Sequence, residues 1–171
     1  MEDRRRRFEA QALPHMDAAY NLARWLSRSS TDAEDIVQDA MLRAYRAFDG
    51  VRGSEVKPWL LAIVRNCWRN SSTDVARRRH DPLPVEETEA FVDGAADPEQ
   101  AAAEASQRRK LNEAVSLLPD EFREVLILRE IEDLSYREIA AIVKTPIGTV
   151  MSRLARARAM LKEKWIAEEH P

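Results

Sequence analysis

A chain of 171 residues, 44% hydrophobic and 33% charged, can bury a core, and its few glycines and abundant Ala, Leu, Arg and Glu favour an all-helical protein. The single Cys67 excludes an internal disulfide, three scattered histidines argue against a zinc site, and no apolar run reaches the ~18 residues of a membrane span. The net charge of −3 hides a segregation: five arginines against one acid from Arg65 to Arg79, eight acids without Lys or Arg from His80 to Ser106, then five cations against one acid from Ile147 to Lys164.

The opening "MEDRRRRFEAQ" is basic but lacks the apolar core of a secretory signal, so the expected location is cytoplasmic. "FEAQALPHMDAAYNLARWLS" carries apolar residues at helical spacing, with Pro14 near its start. "TDAEDIVQDAMLRAYRAF" begins with Thr31 and Glu34 in capping-box spacing. Its Ile36, Val37, Ala40, Met41, Ala44 and Phe48 recur at three and four, giving one buried face. Gly50, Gly53 and Pro58 mark a loop. "WLLAIVRNCWRN" resumes as an apolar helix in which Cys67 reads as a buried thiol, and "SSTDVARRR" reads as a last short helix bearing Arg77, Arg78 and Arg79.

The tract "HDPLPVEETEAFVDGAADPEQ", with three prolines and a strong negative bias, reads as a flexible linker. Asp97 and Pro98 form an N-cap and first-turn proline that restart the helix. Four helical signals follow: one up to Pro119, one from Asp120 as cap, one from the Ser135–Glu138 capping box, and one from Pro146 with Thr145 as cap. The expected organisation is all-α: a helical domain over residues 1–80, an acidic linker over 81–97, and a second helical domain over 98–171.

"LSYREIAAIVKTPIGTVMSRLARAR" is a helix, a short turn and a second helix, the pattern of a helix-turn-helix. At about 100° per residue, Ile147, Val150, Leu154, Ala157 and Leu161 share an inward arc. Gly148, Thr149, Ser152, Ala155, Arg156 and Ala159 share the outward one, flanked by Arg153 and Arg158. Slim residues at the N-terminus with cations further on suit a helix entering the major groove, where the backbone must approach closely and Ser or Arg must reach base edges or phosphates.

The stretches "DAEDIVQDAMLRAYRAF", "WLLAIVRNCWRN", "LPDEFREVLILREIEDLSYREIAAIV" and "TPIGTVMSRLARAR", in this order and with an acidic tract between them, resemble the extracytoplasmic-function (ECF) sigma factors of the sigma-70-type family. The resemblance implies a non-catalytic factor, needing no cofactor or metal, that takes core RNA polymerase to promoters. It implies that Asp35, Gln38, Asp39 and Arg43 dock on the β′ coiled coil of the polymerase. It further implies that Arg65, Asn66, Arg69, Asn70, Arg77, Arg78 and Arg79 capture and melt the −10 element, with Asn66 at the position that reads a flipped base. The second domain resembles the one that binds the β flap and reads the −35 element, here through Thr149, Ser152, Arg153, Arg156 and Arg158. Met151 stands where many members carry a basic residue, which alters the expected −35 preference. An anti-sigma factor is the further partner the resemblance implies.

Two other readings compete with this one. A stand-alone helix-turn-helix regulator needs a ligand pocket or oligomerisation surface in residues 1–80, where a basic, Asn-bearing segment stands instead. A nucleic-acid enzyme needs a second carboxylate cluster or a His partner beside Asp32, Asp35 and Asp39, and neither accompanies them.

Overall fold

The computed structural model describes residues 2–75 and 97–169. Among them the chain forms eight α-helices: α1 (Glu2–Ala12), α2 (Met16–Ser27), α3 (Ser30–Ala47), α4 (Val56–Val75), α5 (Pro98–Ser116), α6 (Asp120–Leu126), α7 (Tyr136–Val143) and α8 (Ile147–Glu169). Helices α2, α3 and α4 pack on one another as a three-helix unit, with α1 laid across α4. In the second unit α8 packs on α5, α6 and α7.

Local chemistry accounts for most of the boundaries. Pro14 sits in a 3-10 turn, Leu13–His15, and separates α1 from α2, because its ring cannot continue a helix interior. Helix α2 ends where Arg28 turns left-handed (φ 57°) and its N–H donates to the Arg24 carbonyl. Ser29, extended, then caps α3, its Oγ accepting from the Asp32 N–H at 3.3 Å. The capping box therefore does not lie at Thr31 and Glu34: the two-residue turn puts Thr31 already inside the first helical turn. Gly50 and Gly53 both take positive φ in the following loop, a conformation that disfavours a side chain.

Helix α4 starts at Val56, with Pro58 in its first turn, and runs unbroken to Val75. No separate helix opens at Ser71; its hydroxyl instead donates to the Trp68 carbonyl at 2.8 Å, inside the helix. Asp97 caps α5 ahead of Pro98 as expected, and Ser135 and Glu138 make both bonds of the capping box on α7. Pro119 rather than Asp120 occupies the cap of α6, which continues through a π-helical segment, Ile127–Ile131. Arg77, Arg78, Arg79 and nearly all of the acidic tract lie outside the described residues.

Phe8 of α1 meets Tyr45 and Phe48 edge-to-face at 5.3 and 5.2 Å, and Arg4 caps the end of α3 by donating to the Tyr45 and Arg46 carbonyls at 2.9 Å each. Leu22, Leu60, Leu61 and Val64 fill the first unit, and Leu118, Ile127, Leu128, Ile139 and Leu154 the second. Each such side chain contributes about 1.5–3 kcal/mol of hydrophobic stabilisation. The buried residues of the two units form one cluster, because α4 packs on α7 and α2 packs on α6.

Candidate nucleic-acid interface

Helices α7 and α8 are joined by Lys144, left-handed at φ 55°, followed by Thr145 and Pro146. The Thr145 hydroxyl does not cap α8: helix begins at Ile147, the Pro146 carbonyl accepts from the Thr149 and Val150 N–H groups, and Thr145 Oγ1 is buried without a hydrogen-bond partner. Val150, Leu154 and Ala157 are buried at the inner face of α8. Ile147 stands 42% exposed, one turn ahead of the packed stretch, and Leu161 is half-buried, so the inner arc is shorter at both ends than the helical projection implies.

Gly148, Ser152, Ala155, Arg156 and Ala159 are exposed along the outer face, with Thr149 half-buried beside them. Ser152 donates to the Thr149 carbonyl at 3.0 Å, a bond its hydroxyl can exchange for another acceptor by rotation. Arg156 lies over the Phe122 ring at 5.7 Å, which steadies the stem without neutralising the charge. Arg153, on the flank, stands 3.8 Å from Glu121. Arg158 is held by Glu130 at 2.6 Å, and that hydrogen bond keeps its guanidinium above the usual arginine range. Met151 is 51% exposed on the same face, an apolar side chain among polar and small ones.

The basic surface on α4 is arranged differently. Arg65 is only 3% exposed, its Nε 2.8 Å and its Nη2 3.1 Å from the two carboxylate oxygens of Glu124, with Nη1 donating to the Ile142 carbonyl at 3.3 Å. It faces α6 and α7 rather than water. Asn66 is half-buried, while Arg69 and Asn70 are exposed. These four residues, with Trp68 and Arg43, line one wall of a 960 Å³ cleft; Asp120, Glu121, Glu124, Lys144 and Arg153 line the other. Trp59 packs against Phe48 at 6.3 Å, as a core residue does.

On α3, Asp35 and Gln38 are exposed, and Asp39 pairs with Arg43 at 3.0 Å. Leu42, 59% exposed, completes this stripe at four residues beyond Gln38. Sequence reasoning passed over it, although an apolar residue outside the arc of Ile36, Val37, Ala40 and Ala44 was its available signal. Cys67 is buried beneath this surface, and burial, with Asp39 nearby, pushes its thiol up to about 11, which suits a packing role.

Residues 13–79 match the family model of sigma-70 region 2, and residues 108–161 match that of sigma-70 region 4. The ECF RNA polymerase sigma-E factor of Escherichia coli K12 is 38% identical over 144 residues, covering 79% of this chain and 74% of that protein. The ECF RNA polymerase sigma factor SigE of Mycolicibacterium smegmatis is 34% identical over 149 residues, covering 87% and 58% respectively. Among solved structures, the sigma factor RpoE of Bartonella quintana in complex with the anti-sigma factor NepR superimposes with a TM-score of 0.72 at 29% identity, covering 92% of this chain and 96% of that one. CnrH in complex with the cytosolic domain of CnrY gives a TM-score of 0.65 at 26% identity, covering 95% of this chain and 90% of that one.

Proposed function

The chain belongs to the ECF sigma factors of the sigma-70 family, and from that premise we propose how its surfaces are divided between polymerase and promoter. As an ECF RNA polymerase sigma factor it directs promoter recognition without catalysis of its own. In the proposed division, residues 1–80 dock on core polymerase and open the −10 element, 81–97 form the connecting linker, and 98–171 read the −35 element. The observation that carries the reading is the outer face of α8. Ser152 and Arg156 are exposed on it, while Val150, Leu154 and Ala157 hold the helix from behind.

On this reading Thr149, Ser152, Arg153, Arg156 and Arg158 contact the −35 duplex, Arg156 being the best placed for a base edge. Asn66, Arg69 and Asn70, with Arg77, Arg78 and Arg79 beyond the described residues, take the −10 strand, and Arg65 positions them. Polymerase contacts fall on the α3 stripe of Asp35, Gln38, Asp39, Leu42 and Arg43 for the β′ coiled coil, and on the second unit for the β flap. Leu42 supplies the apolar anchor such an interface needs at its centre. The acidic linker, on this view, occupies the path of nascent RNA, so that Glu86, Glu87 and Glu89 changed to Gln should shift abortive against productive initiation. An anti-sigma factor is the expected negative regulator, a reading supported by the similar sigma factor RpoE of Bartonella quintana, whose structure is a complex with the anti-sigma factor NepR. The expected location is the cytoplasm, and no described helix is long and apolar enough to cross a membrane.

The test is run-off transcription from a randomised promoter library with purified core polymerase, with and without the chain. Selection of a defined −35 and −10 pair only when the chain is present is the expected result. Recovery of a single undivided operator-like site, or of no sequence preference, would refute the division.

A further inference from the structure

Beside its cations, the exposed side of α8 carries an apolar row. Ile147, Met151 and Ala155 follow one another at four-residue intervals, so they lie one above the other along the helix. All three are exposed, Ile147 at 42% and Met151 at 51%, while Val150, Leu154 and Ala157 already fill the core behind them. Two large apolar side chains left in water add little to the fold, since hydrophobic stabilisation scales with the area removed from water.

Gly148, in the same first turn, gives an independent sign. Its φ is not positive, and a Cβ built on it would meet no atom of the described residues within 4 Å. Neither backbone conformation nor packing within the described residues calls for glycine there, and in a helix glycine is less stable than alanine. A bare backbone at this point serves a close approach from outside.

The surroundings select the occupant. Helix α8 has no acid from Ile147 to Lys162, and Arg156 and Arg158 stand exposed further along it, a charge pattern complementary to phosphate. In the major groove the one apolar group on a base edge is the C5-methyl of thymine. A thioether is flexible and polarisable, so it packs on such a methyl; it donates no hydrogen bond, so it cannot hold guanine as an arginine does.

We propose that Met151, with Ile147 behind it, reads the 5-methyl group of a thymine in the −35 element, at a point where Gly148 lets the helix backbone come close to the DNA. The inference rests on the assignment of α8 to the −35 duplex and adds the base that its apolar row selects.

The experiment uses holoenzyme assembled from the full-length chain and the −35 element that the promoter library selects. Deoxyuridine replaces thymidine at one −35 position at a time, on either strand, which removes the methyl and leaves base pairing intact. With the wild type, at least one replacement should weaken promoter binding about fourfold, the worth of one buried methyl. Met151→Ala should abolish that sensitivity with thermal unfolding unchanged, and Met151→Leu should keep it. Met151→Arg should move the library preference at the same base pair toward guanine. Gly148→Ala should raise Tm by about 1–4 °C and yet lower promoter affinity. A selected −35 element without an A·T pair, no thymine whose methyl matters, or a methyl sensitivity that survives Met151→Ala would each overturn the proposal. So would Met151→Ala weakening assembly with core polymerase at unchanged methyl sensitivity, which marks a protein contact, or Gly148→Ala lowering Tm or leaving affinity intact. Failure of the −35 assignment itself overturns it too but is distinguishable: promoter binding would then be indifferent to the whole −35 sequence and to Arg156→Ala.

Discussion

The outer face of α8 and the basic wall of α4 are both short runs of Arg, Asn or Ser on amphipathic helices, yet they meet solvent on different terms. On α8 Ser152 and Arg156 stay exposed, Arg156 over the Phe122 ring, and among the described residues the ion pairs of this helix are the rim pairs of Arg153 with Glu121 and of Arg158 with Glu130. On α4 the same kind of residue faces the other unit, and Arg65 is consumed by a buried carboxylate. The difference teaches that a basic patch is defined by what lies opposite it, and that two patches of similar composition can be one open and one occupied.

Changes to α8 can break the comparison most sharply. Leu154→Ala, at a fully packed position, should lower stability by about 2–5 kcal/mol in denaturant unfolding, whereas Ser152→Ala on the opposite face should stay within about 0.5 kcal/mol of wild type. Equal losses would mean that α8 has no outward face. Next in size, Arg156→Ala should reduce discrimination between cognate and altered −35 duplexes by about 1–3 kcal/mol, measured by competition in transcription with holoenzyme, while thermal unfolding is unchanged. Uniform weakening on all sequences would reassign Arg156 to phosphate. Leu42→Ala should weaken association with core polymerase by at least about 1 kcal/mol, read by titration of holoenzyme formation; an unchanged affinity would remove Leu42 from the docking stripe. The smallest effect is expected at the rim. Glu130→Gln, releasing Arg158, should alter stability by no more than about 1 kcal/mol, but raise the salt dependence of promoter binding by about one phosphate contact. A slope that does not move would leave Arg158 outside the DNA contacts.

Much of this was legible from local pattern. The inner faces of α3 and α8 followed from apolar spacing, because burial selects residues at three and four whatever the fold around them. The Ser135 box and the Asp97–Pro98 start were readable because caps bond within four residues. Thr31 and Thr145 show the limit of the same reasoning: a hydroxyl near a helix start caps it only if the preceding turn places it at the right residue, and the left-handed residues Arg28 and Lys144 shift that position. Ile147 lies on the correct arc, but at 42% exposed it is only partly covered at that end of the helix.

What the sequence by itself determined is the set of helices, their apolar faces, the charge segregation and the family, since each depends on neighbours within a few residues or on order along the chain. Only the tertiary structure decided which polar residues are available. Arg65 and Glu124 are 59 positions apart, and each alone reads as an exposed helical charge. Their meeting depends on α4 packing against α7, and burial then turns two surface charges into one interior contact, an outcome of long-range geometry that no local spacing encodes.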